Sequence, residues 1–224
     1  GTAWNLADNY SSFWRLYINE RSGAAVLSGD QSYIMKSNEI WFIPAWVNFH
    51  CVNNRPTGHF YIHFDLMGLS GVVCRQIFNR PMTLPVMGDY ASCVEKLKTA
   101  SQSKTLQIHY LCEFQAMLYE YFGQLITTLP EDRRRHLCRS LMAHWRYGKL
   151  LRYVDEHLKG PLDNAVLAKL CHQSESHFVR NFHKDMQQTP AKYVQERRIA
   201  SAAEKLVFSE ASIDQIAEAA GFSN

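Results

Sequence analysis

Residues 175–186, ESHFVRNFHKDM, place a set of polar groups on one side of a helix. At about 3.6 residues per turn, Phe178 and Phe182 fall together, while Ser176, Arg180 and His183 fall opposite them, with Val179 and Lys184 flanking. One face suits a core; the other offers a hydroxyl, a guanidinium and an imidazole. Arginine is the side chain best shaped for bidentate contact with guanine in the major groove, and serine or histidine can bond bases or phosphates. The charge distribution fits a polyanionic partner better than the overall charge of +3 does. Residues 1–130 hold nine Lys+Arg and nine Asp+Glu, whereas residues 133–205 hold fifteen against seven, together with six of the ten histidines.

The first half carries a different chemistry. Trp14, Tyr33, Trp41, Trp46, Phe49 and Tyr61 make it rich in aromatic rings, which suit stacking on a sugar or another planar metabolite. His50 and His63 join Trp14, Tyr33, Trp41, Trp46 and Tyr61 as the candidate residues for binding a small-molecule effector. His59 and His63 share a strand face and could chelate, but no third ligand is apparent, so no metal and no cofactor are expected. The sequence has no GxSxG, P-loop or GxGxxG motif. The six cysteines lie far apart without a CxxC pair, which argues against a disulfide framework and a zinc ribbon or finger, and they lack a recognisable partner for nucleophilic catalysis. No catalytic residue is expected.

The elements that must position these groups change period along the chain. Up to about Asp65, short runs such as AAVL, SYIM, IWFIPAW and FYIHFDL alternate with turn sequences such as SGDQ and KSNE, the texture of a strand meander or barrel. From about Ala91 the period is helical. Leu111, Phe114, Leu118, Phe122 and Leu125 form an apolar stripe on one long helix ending near Leu129-Pro130. Such a stripe packs on its own domain or serves a second copy, and it is the candidate dimerisation surface. With no apolar run of about 18 residues and no signal-like start, a soluble, cytoplasmic protein without membrane contact is expected.

Residues 149–224 read as consecutive short helices. KLLRYVDEHLKG closes at Gly160-Pro161, a second helix runs from about Asp163 to Leu170, and Ser174 is placed to cap the third. Two short helices joined by a tight turn are the helix-turn-helix plan, whose second helix enters the major groove. Thr189-Pro190 then opens a long helix, and Ser212 with Gln215 forms a capping box for IDQIAEAA, which Gly221 terminates.

These residues resemble the AraC-type family of bacterial transcription regulators. The resemblance covers about Lys149 to Asn224 and rests on Leu167-Ala168, Ser174, Phe178, Arg180, Phe182, Thr189-Pro190, Tyr193, Arg198, Ala202, Leu206, Ile213, Ile216-Ala217 and Gly221-Phe222. It implies base contacts by Ser176, Val179 and Arg180 and phosphate contacts by His177 and Lys184, so the DNA-binding set is Ser176, His177, Val179, Arg180, His183 and Lys184. Double-stranded DNA, a small-molecule effector and a second copy of the chain are the expected partners, with RNA polymerase as a further one. The strand-rich half is similar, more weakly, to the cupin-like sensor barrel of such regulators, but lacks the paired histidines of metal-binding cupins. A metal-dependent cupin enzyme with an accessory helical domain is the alternative reading.

Three departures from the family pattern stand out. Gln187 occupies the position where a glycine usually closes the recognition helix, which calls for a different turn or some strain. Asn164 and Gln173 replace apolar residues and are expected to loosen the first helix-turn-helix. The sequence begins with Gly1 and stops at Asn224, where a second recognition helix would start, as expected of a piece of a longer chain. The expected architecture is α+β: a cupin-like β-barrel over 1–90, a helical dimerisation segment over 91–130, a linker over 131–147 and a DNA-binding domain over 148–224. Within that domain the first helix-turn-helix spans about 163–184, the linking helix about 190–207 and the start of the second unit 212–224.

Overall fold

The computed structural model describes residues 6–53, 57–65, 69–86, 92, 95, 96, 99 and 108–222. Most of residues 91–107 of the expected helical segment 91–130, and residues 223–224, lie outside the described residues.

Eight strands, β1 (Leu6–Asn9), β2 (Trp14–Asn19), β3 (Ala24–Ser28), β4 (Gln31–Met35), β5 (Glu39–Ile43), β6 (Phe49–Asn53), β7 (His59–Phe64) and β8 (Met82–Pro85), form two antiparallel sheets. Their orders are β1-β6-β3-β4 and β7-β2-β5-β8. The expected barrel is therefore built as two facing four-stranded sheets that do not close into one ring. Ser28 pairs with Gln31 across Gly29-Asp30, and Gly29 takes the positive φ that so tight a turn needs.

Strand alternation makes β7-β2-β5-β8 the middle layer. On β2, Trp14, Leu16 and Ile18 face the helices, and Arg15, Tyr17 and Asn19 face the other sheet, so every residue of the strand is buried. The space between the sheets is filled by Tyr17, Val26, Met35, Trp41, Ile43, Phe49 and Cys51. On the opposite side lie α1 (Gly71–Ile77) and α2 (Ile108–Thr127), which cover Trp14, Leu16, Phe42 and Leu84.

This arrangement corrects the expected dimerisation surface. Phe114, Leu118, Phe122 and Leu125 lie within the chain's own core and Leu111 is half-buried, because the middle sheet presents an apolar second face that α2 must cover. Trp14 meets Phe122 edge-on at 5.8 Å and Phe78 at 5.0 Å. A second copy cannot use a stripe already spent in this way.

The expected linker is a helix, α3 (Glu131–Arg146), with Leu137 in the sheet-side core and Ala143 in the next one. After it come α4 (Gly148–Glu156), α5 (Asn164–Leu170), α6 (Glu175–Met186), α7 (Pro190–Phe208) and α8 (Ile213–Ala219). Their core includes Leu151, Leu167, Phe178, Phe182, Met186 and Tyr193. Asp163 caps α5 through Val166 N at 2.9 Å, and Thr189 caps α7 through Lys192 N at 3.3 Å. Ser212 and Gln215 bond reciprocally as the predicted capping box. Ser174 has the backbone conformation of a cap, but its hydroxyl makes no capping bond.

Replacing Phe122 by alanine is expected to destabilise the chain by about 3 to 5 kcal/mol, the cost of emptying a buried aromatic site. Chemical denaturation with sedimentation of the same samples checks it. A change of oligomeric state without loss of stability would return the stripe to an interface.

Candidate nucleic-acid interface and sensor cleft

The recognition helix forms as its periodicity requires. Phe178 and Phe182 are fully buried, and Phe182 packs on Tyr147 at 5.0 Å and Tyr193 at 5.9 Å. Ser176, His177, Arg180, His183 and Lys184 are exposed. Val179 departs from the expected set: it is half-buried against the core, on the flank of the helix, with less of its surface free for bases. His177 leans on Asn181, whose Nδ2 lies 3.4 Å from the ring Nε2. Asn181 also donates to Gln173 Oε1 at 3.4 Å, so the polar Gln173 ties the turn to the recognition helix.

Gln187 ends α6 in the left-handed region, with φ +57°, a conformation that costs a residue with a Cβ about 1 to 2 kcal/mol. Its Nε2 donates to Lys184 O at 2.8 Å and returns part of that cost. Strain at this position was expected; the compensating bond was not. The second unit is docked where Gly221, at φ +82°, passes Leu158: an added Cβ would stand 2.0 Å from Leu158 O. Arg198 donates to Leu158 O at 3.0 Å and Gly160 O at 3.2 Å, holding that loop in place.

In the sheet region the candidate effector residues divide. Tyr33, Trp41 and His63 lie on the faces between the two sheets, with Tyr33 and Trp41 edge-to-face at 6.0 Å; Tyr61, 5.3 Å from His63 on the same face of edge strand β7, is exposed. Trp14 is on the opposite face of its strand, sealed beneath the helices, and Trp46 packs against Arg75 on α1. His50 alternates with the inward Phe49 and Cys51 and so points away from His59 and His63, which means the three histidines do not converge.

Sequence reasoning missed the most unusual group in this space. Arg15 is 8% exposed, between the rings of Phe13 and Phe49 at 4.7 and 5.0 Å, and donates to Ser11 Oγ at 2.6 Å. No carboxylate pairs with it among the described residues, and burial lowers its pKa. A charged residue in the middle of WRLYIN, on the same face as Tyr17 and Asn19, was the available signal. On the same face, burial pushes His59, opposite Asn19, down to about 4, and burial together with the Arg15 charge does the same to His63, opposite Arg15. His59 Nδ1 lies 2.7 Å from Asn19 Oδ1.

Phe13 and His63 also line a cleft of about 430 Å³ whose far wall is Asp155, Leu158, Arg197, Ala200, Ser201 and Glu204. Phe13, whose ring packs on Arg15, thus lines a cleft walled by the linking helix α7. A second link crosses nearby, an ion pair between Arg75 of α1 and Glu196 of α7 at 3.2 Å.

Residues 167–224 match the family model described as a helix-turn-helix domain. No curated protein sequence matches the chain. Among solved structures, the fold is similar to an apo form of ToxT from Vibrio cholerae strain SCE256, with a TM-score of 0.56 at 9% identity over 99% of this chain and 84% of that one. ToxT from Vibrio cholerae O395 gives 0.54 at 11% identity, with the same coverages. An unsaturated fatty acid bound form of wild-type ToxT from strain SCE256 gives 0.51 at 9%, over 99% and 83%. These likenesses are of fold. Together with the motif order they define a two-part molecule, antiparallel sheets backed by helices and then a helix-turn-helix domain. The carboxyl-terminal part, matched over residues 167–224, is a helix-turn-helix domain, as the resemblance read from the sequence implies.

His59 and His63 make stability depend on pH. In the unfolded chain they titrate near pH 6.5, whereas in the fold they stay neutral down to about pH 4. The unfolded chain therefore binds more protons between these values, and stability falls as pH drops through that window. Urea unfolding from pH 7.5 to 4 should show this decline, and a His63→Gln variant should show a shallower one; equal slopes would contradict the assignment.

Proposed function

We propose that this chain is a DNA-binding transcription regulator that acts in the cytoplasm and whose sheet region takes a carboxylate-bearing apolar effector. The observation that carries the DNA half is the exposed, cationic face of α6 behind a fully buried Phe178–Phe182 pair. Arg180, at its centre, is assigned to base edges; Lys184 and His177 are assigned to phosphates, and Ser176 and His183 to either. A metal-dependent enzyme finds less support, because His50 turns away from His59 and His63.

The effector half rests on Arg15. A buried guanidinium without a carboxylate is costly, and cation–π contacts of about 0.5 to 2 kcal/mol each offset only part of the desolvation. An anion entering beside His63 would complete the pair. ToxT, similar to this chain in fold, has been solved with an unsaturated fatty acid bound, and a carboxylate head on an apolar tail suits this site. Division of the aromatic residues between two layers leaves less for a sugar to stack on. A ligand in the 430 Å³ cleft would touch the sheets and α7 together, so binding would favour one placement of the DNA-binding domain.

Arg180→Ala should cost about 1 to 3 kcal/mol of specific binding and relax selectivity, whereas Lys184→Ala should weaken all sequences alike. Equal losses on selected and random duplexes for both variants would sink the assignment.

Arg15→Met should hold or raise the melting temperature of the free chain by removing an unpaired buried charge. It should also abolish the thermal shift given by an unsaturated fatty acid. In the parent chain the acid should stabilise by about 2.7 kcal/mol at one hundred times its dissociation constant, and its methyl ester should do nothing. Equal shifts from acid and ester would exclude Arg15 as the anchor.

A further inference from the structure

The face of α3 turned towards the recognition helix is basic, although the helix-turn-helix plan assigns no role to α3. Arg139, Met142, Ala143 and Arg146 follow one another at helical spacing and line a cleft of about 530 Å³ closed on its other side by Lys184, Asp185 and Gln187 of the α6 end. Arg146 is held by Asp185 at 2.6 Å, and Tyr147 donates to the same carboxylate at 3.3 Å. Arg139 and Lys184 are exposed and have no ion-pair partner among the described residues. The cleft also takes in His136, whose pKa is lowered by burial and by the Arg139 charge. One carboxylate thus faces three permanent cations.

We infer that this cleft is a second phosphate-binding element, in which Arg139 and Arg146 of α3, with Lys184, hold the duplex backbone beside the groove occupied by α6. The inference rests on the DNA-binding reading and deepens it. Three observations favour DNA as the occupant. The surface is continuous with the recognition face, since Lys184 belongs to both. Its sign is complementary, and its length fits: residues 139 and 146 are separated by about 10 Å along the helix axis, roughly three base steps of a strand that carries a phosphate every 3.4 Å or so. Asp185 keeps Arg146 extended over the cleft. Because α3 also reaches the sheet-side core through Leu137, backbone contact here would tie the sensor region to the DNA.

The test uses the chain as it stands and a random-sequence duplex of about 30 base pairs, with affinity measured from 50 to 250 mM KCl. Each phosphate contact contributes about 0.9 to the slope of log K against log salt. Arg139→Gln should reduce that slope by about one unit and weaken binding several-fold, and Arg139→Lys should restore the slope. Lys184→Gln is the control for the recognition helix. If Lys184→Gln lowers the slope while Arg139→Gln leaves it unchanged, α3 is not a phosphate element and the recognition-helix reading stands; an acidic protein partner would then be the better occupant. Failure of the parent chain to bind the duplex at 50 mM KCl would overturn the DNA-binding reading and this inference with it.

Discussion

One helix belongs to two cores, and the rest of the molecule is arranged around it. α3 places Leu137 among the residues that cover the middle sheet and Ala143 among those that pack the helix-turn-helix. The two lie about 9 Å apart along a rod that rises 1.5 Å per residue, so neither end can shift without disturbing the packing at the other. Polar anchors fix both ends: Arg133 donates to Ile77 O at 3.0 Å and Asn79 Oδ1 at 3.3 Å, and Arg146 pairs with Asp185 on the recognition helix. The Arg75–Glu196 pair adds a third attachment, to α7. The sheets, α1, α3, α6 and α7 are thus joined by packing and polar contacts.

Places where the chain breaks local rules lie close to those where it is read as functional. Arg15 stands uncompensated by any described carboxylate between the sheets, packed on Phe13, which lines the cleft that meets α7. Gln187 holds a left-handed backbone at the end of the recognition helix, beside the basic cleft of α3. Both cost stability in the isolated chain. Gly221 is different in kind, because close approach to Leu158 O leaves no room for any side chain. That requirement is structural, and it docks α8 beside the loop that follows α4.

Much of the helix-turn-helix was legible because its determinants are local. The caps at Thr189 and Ser212, the stop at Gly221 and the Phe178–Phe182 spacing each act within a turn or two of the chain, so a sequence carries them without knowledge of what packs where. The basic character of residues 133–205 was visible too, but not that Arg139 and Arg146 would share a cleft with Lys184, which depends on the approach of two helices about forty residues apart.

In the sheet region, alternation along each strand determined that every strand has two faces, and the turn residues determined where strands end. Only the tertiary structure decided what covers each face. Trp14 and Tyr17 both sit on β2, yet one is sealed under α2 and the other looks into the space between the sheets. The same assembly consumed the Phe114–Leu125 stripe internally, turned His50 away from His59 and His63, and left Arg15 between two aromatic rings. Side-chain direction follows from backbone period, which is local; burial and charge compensation follow from which layers meet, and those contacts join residues as far apart as Trp14 and Phe122.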